Sequence, residues 1–140
     1  MKKLNAILIG GALEIMSGLP SLLSRAGFNV DVITSNLLLK KSRFISNFEL
    51  VSNSNLIAIQ AAKIDLDNYD FIIACDDQIL KDILDADIAI KDKLKLLPIN
   101  SEKDLKHIYS KIGLSQILLG TNVNTPDSLV VNNFEEAVDA

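Results

Sequence analysis

At 140 residues the chain is long enough for one well-buried core and too short for two. Its 49% hydrophobic and 23% charged residues set it apart from disordered segments, which lack the apolar surface to fold. The formal net charge of -4, with lysines interleaved among aspartates, supplies no positive field for a phosphate backbone and argues against nucleic acid or an anionic membrane as partner.

Leu4 to Ile9 is apolar apart from Asn5 and runs into Gly10-Gly11, a pattern that predicts a buried strand entering a tight turn. Ala12, Leu13, Met16, Leu19, Leu23 and Ala26 then recur at helical spacing, with Gly27 at the favoured left-handed cap position. Pro20 lacks an amide donor and crowds the preceding turn, so it marks a kink or a restart of that helix. Phe28 to Thr34 completes a β-α-β unit of the length a parallel crossover needs. A polar, basic loop follows from Ser35 to Asn47, then a short strand at Phe48 to Ser52. A helix starting near Asn53 to Asn55 is expected to align Leu56, Ile59, Gln60 and Lys63.

Tyr69 to Cys75 is a strong strand ending in Asp76-Asp77, and Ile79 to Leu84 reads as a short helix. Ile88 to Leu97 is ambiguous, while Ser101 with Asp104 three residues on has the spacing of a helix start. Leu129 to Val131 is strand-like, and Asn133 with Glu136 has capping-box spacing. A helix of seven residues after that cap has little stability of its own, so the natural chain is expected to continue past Ala140. The alternation defines an α/β fold: a Rossmann-like open parallel sheet with helices on both faces. The apolar runs are too short to span a bilayer, and the start at Met1-Lys2-Lys3 lacks a cleavage region. Cys75 is the only cysteine, so neither an internal disulfide nor a cysteine metal cluster can form, and a cytoplasmic location is expected.

Three groups of residues carry chemistry, each with a plainer role beside it. Gly10 and Gly11 open a helix whose free amides could receive a phosphate, but they lack the Gly-x-Gly-x-x-Gly fingerprint, and Ser35-Asn36 stand where a ribose-binding acid belongs. A purely structural turn and disfavour of a nicotinamide dehydrogenase follow. Asp76 and Asp77 lie beyond a parallel strand's carboxyl end, where open sheets place ligands; they serve equally as helix-starting residues. Lys40, Lys41, Ser42 and Arg43 form a basic loop able to receive a carboxylate or phosphate, or simply a solvated one. Cys75 reads as a small core residue and His107 as a surface helix residue.

The order β-Gly10-Gly11-α-β, the Lys41-Ser42-Arg43 loop, and Tyr69-Asp70-Phe71-Ile72-Ile73 before Asp76-Asp77 resemble the pre-ATP-grasp domain of ATP-grasp ligases. Ser110-Lys111, a helix-like 112–121 and Val123-Asn124-Thr125-Pro126 resemble that family's Asp-Lys, helix, Gly-Val-x-Thr-Pro stretch, with Ser110 at the usual Asp position and Asn122 at the usual Gly position. The resemblance implies a pre-ATP-grasp domain over residues 1–100, then linker helices and the first strand and helix of an ATP-grasp domain over 101–140. It implies that Lys111 reaches toward nucleotide phosphates, and that Gly10, Gly11, Ser42, Arg43, Asp76 and Asp77 face the acceptor substrate, with no catalytic residue and no metal ligand in this stretch. ATP and magnesium would serve the complete ligase, which activates a carboxylate as an acylphosphate for attack by an amine or similar nucleophile. The implied partners are the rest of the ATP-grasp domain and a small carboxylate or amine; a homodimer stays open. The chain alone is then catalytically incomplete. Two other classes remain: a receiver-like signalling domain accepting a phosphoryl group on Asp76 or Asp77, weakened because Gly10-Gly11-Ala12-Leu13 stands where its acidic pair belongs, and a non-catalytic small-ligand or protein-interaction module.

Overall fold

The structure, a computed structural model, describes residues 3–108 together with Leu118 and Val131. The chain divides into two compact units, Met1–Glu102 and Lys103–Ala140. Ser110-Lys111, Thr125-Pro126, the expected helix after Asn133 and the expected strand at 129–131, apart from Val131, lie outside the described residues.

The first unit is built on a four-stranded, all-parallel sheet. Its strands are β1 (Leu4–Ile9), β2 (Phe28–Thr34), β3 (Asn47–Leu50) and β4 (Phe71–Ala74), in the order β3-β2-β1-β4. The apolar run of β1 is central because it is buried on both faces: Ile7, Leu8 and Ile9 are at most 1% exposed. Burial of side chains of that size contributes about 2 kcal/mol each. Pairing is in register along the strand, Leu8 lying opposite Val32 on one side and Ile73 on the other.

Alternation along the strands sorts the helices onto two faces. On one, Leu8, Val30 and Val32 pack with Met16, Leu13, Leu19 and Leu23 of α1 (Leu13–Met16) and α2 (Leu19–Arg25), and with Leu39 from a 3-10 turn at Leu37–Lys41. Of the kink or restart expected at Pro20 the structure has the restart, with Pro20 in the first turn of α2, where a missing amide costs nothing. Gly27 follows α2 with φ of 96°, the left-handed conformation that closes a helix.

The other face is covered by α3 (Ile57–Ala61), which packs on β1 and β2 and against α4 (Asp77–Asp85); α5 (Ile90–Leu96) packs on β4. Ile57, Ala58 and Ala61 are buried, whereas Leu56 and Ile59 are exposed. The helix is entered through a 3-10 turn at Ser54–Leu56, whose tighter winding advances each residue farther around the axis and rotates the helical phase. The second expected helix start, near Ser101, is a 3-10 segment at Glu102–His107. Among the described residues no helix is long and apolar enough to cross a membrane.

Candidate functional site

In the order β3-β2-β1-β4 the chain steps outward from β1 to β2 and β3, then crosses back to place β4 on the far side of β1. The loops after β1 and β4 therefore part toward opposite faces, leaving a crevice at the carboxyl ends of those strands, where open α/β sheets bind ligands. Gly10-Gly11-Ala12 follows β1 and Cys75-Asp76-Asp77 follows β4, so two of the expected groups do meet.

Their meeting is a set of hydrogen bonds to one carboxylate. Asp76 Oδ2 accepts from the backbone amides of Gly11 at 3.0 Å and Ala12 at 3.1 Å, and Oδ1 accepts from the Ile79 amide at 2.8 Å, capping α4. The cap and ligand-edge roles fall on the same residue because the carboxylate has two oxygens and uses both. Gly10 lets it approach: a Cβ at that position would lie 2.7 Å from Asp76 Oδ2 and 3.2 Å from Cys75 Cβ. The amides that a phosphate would need at the start of α1 are thus engaged by Asp76, and a nucleotide phosphate has no cradle there.

Beside this brace lies a cavity of about 370 Å³, lined by Gly11, Ser35, Ser54, Asp76, Gln78 and Asp82 over a floor that includes Ile57 and Ile79. Gln78 Nε2 donates to Asp82 Oδ1 at 2.7 Å, which turns the Gln78 carbonyl and the other Asp82 oxygen loose from that pair. Its lining carries carboxylates, hydroxyls and an amide, and no Lys, Arg or His.

The remaining expected residues stand elsewhere. Asp77 is exposed in the first turn of α4 and does not line the cavity. Ser42 closes the 3-10 turn after β2, its Oγ accepting from the Phe44 amide at 3.4 Å, and the Arg43 guanidinium lies 5.0 Å above the Phe44 ring. Neither lines the cavity. By this point the crossover has left the carboxyl edge and is returning: Ser46 donates to the Val30 carbonyl at 2.7 Å before β3 begins. A loop after a strand belongs to the ligand edge only in its first residues, and the basic cluster comes too late. Lys111 lies outside the described residues. Ser35 and Ser54 were missed; Ser35 directly follows β2, so the same topological rule would have found it, whereas Ser54 opens the 3-10 turn that comes after β3. Asp82 had no local signal, since only the docking of α4 on α3 aims it at the cavity.

Cys75 is buried and its thiol is pushed up to about 11, chiefly by burial, opposed by a hydrogen bond from the backbone at Ile9 and reinforced by the Asp76 charge. Toward the amino ends of the strands, the Tyr69 hydroxyl donates to Asp31 Oδ2 at 2.9 Å, and burial together with that carboxylate pushes the phenol up to about 12. Among the described residues no buried side-chain nitrogen or oxygen lacks a partner, and no three His, Cys, Asp or Glu side chains gather to hold a metal.

Fold and site together define an α/β protein with an open, all-parallel Rossmann-like sheet and, at its switch point, a cavity that carries two carboxylates on a largely apolar lining. Comparison with known proteins finds no matching family model, no matching curated protein and no matching solved structure.

Proposed function

We propose that this chain is the substrate-side portion of a cytoplasmic ATP-dependent ligase of the ATP-grasp kind, in which a carboxylate activated as an acylphosphate is attacked by an amine or similar nucleophile. The observation that carries the reading is the cavity at the β1–β4 switch point, acceptor-sized and built on Gly11 and Asp76, two of the residues the resemblance assigns to the acceptor substrate. In this reading nucleotide and magnesium belong with Lys111 and the remainder of the ATP-grasp domain, while the Gly11 and Ala12 amides are held by Asp76. A receiver-like role with Asp76 as the phosphoryl acceptor is disfavoured by the engagement of both its oxygens.

The test is to express the complete open reading frame that contains this chain and measure ADP release with magnesium and ATP across paired panels of small carboxylates and amines. Acceptor-dependent ADP release, weakened by Asp82→Asn, is expected from the complete protein, and no magnesium-dependent hydrolysis from the 140-residue chain alone. A frame that ends at Ala140, together with small-molecule binding and no turnover, would replace the ligase with a freestanding binding module.

A further inference from the structure

Resting on the reading of the switch-point cavity as an acceptor site, we propose that this cavity takes the ammonium end of a small alkylamine and rejects phosphate and carboxylate groups. The position is one at which related topologies commonly seat an anion, using amides at the start of the first helix. Here those amides, at Gly11 and Ala12, already donate to Asp76 Oδ2, and the Ile79 amide at the start of α4 donates to Oδ1. An incoming anion would have to expel a carboxylate that three amides hold, or lie against it with no Lys, Arg or His among the described residues that line the cavity.

The rest of the lining points the same way. Asp82 adds a second carboxylate, and Ser35, Ser54 and Gln78 add oxygen acceptors. An ammonium group has three donors and no acceptor, so it matches this set, and its positive charge is attracted by both aspartates. Ile57 and Ile79 give a short alkyl chain an apolar surface to lie on. Within the ligase reading, such a ligand is the attacking nucleophile and not the carboxylate to be activated.

The 140-residue chain, labelled with nitrogen-15, is titrated at constant ionic strength with n-butylammonium, n-butyrate, inorganic phosphate and n-butanol, following the backbone amides of Gly11, Ser35 and Ile79. Butylammonium is expected to give saturable shifts at these amides, weakened by added salt, while butyrate and phosphate give none. Asp82→Asn is expected to weaken butylammonium about tenfold, the scale of one charge-assisted hydrogen bond. Gln78→Glu, which adds a carboxylate at an exposed position, is expected to tighten it. Butanol or butyrate shifting the same amides as strongly as butylammonium, or an unchanged affinity in both variants, overturns the cationic class while leaving a ligand cavity. If none of the four probes gives a saturable response, the acceptor-site reading falls with it.

Discussion

Removing the Asp76 carboxylate tests the physical basis of the site most directly. Asp76→Ala deletes the cap of α4, worth about 1 kcal/mol. It also leaves the Gly11 and Ala12 amides without their acceptor in a partly buried turn, at about 1 kcal/mol each. The expected loss is therefore about 3 kcal/mol. Asp77→Ala is the internal control: one residue on, exposed, it contributes only its charge near the positive end of the helix, about 0.5 kcal/mol. Asp76→Asn should fall between them. Its carbonyl can still cap α4, but its amide nitrogen then faces two backbone donors. Urea unfolding followed by far-ultraviolet circular dichroism reads all three. With a slope of about 1.5 kcal/mol per molar, the Asp76→Ala midpoint is expected about 2 M below the parent chain. Equal losses from Asp76→Ala and Asp77→Ala would refute the brace and reduce Asp76 to a surface acid.

Four further outcomes follow from single residues. Gly10→Ala should cost about 2 kcal/mol by forcing Asp76 away from its amides, and Gly27→Ala at least about 1 kcal/mol through its left-handed backbone, both read by thermal unfolding. Tyr69 should ionise near pH 12, against an ordinary value near 10, in an ultraviolet titration. Because its folded value is raised, the stability it contributes is complete below about pH 10 and lost as the pH climbs toward 12; Tyr69→Phe should remove that loss, and an unchanged alkaline profile in the variant would contradict it. The Cys75 thiol, raised to about 11 and buried, should react slowly with a disulfide reagent at pH 8 in the native chain and quickly in urea; fast native labelling would place it outside the core.

Residue order alone determined the sheet and its sense. The apolar continuity of Leu4–Ile9, the helical spacing around Leu13 and Leu23, Gly27 and the β-rich run ending at Thr34 are local patterns of the length a parallel crossover needs, and the structure has them as β1, α1, α2 and β2. Pro20 marked the restart of the helix because its lost amide is a property of the residue itself. Gly10-Gly11 and Asp76 were legible as candidates, since their place after strands is written in the chain. Their actual relation was not. The neighbouring of β1 and β4 was legible, but that Asp76 closes the anion cradle it borders depends on how its side chain docks on the turn after β1, a contact between residues more than sixty positions apart. The same holds for the basic loop, where composition announced Arg43 but only the path of the crossover took it off the cavity. Helical phase in α3 and the aim of Asp82 were also settled in three dimensions, because a 3-10 entry and a helix–helix contact rotate side chains in ways that residue spacing does not record.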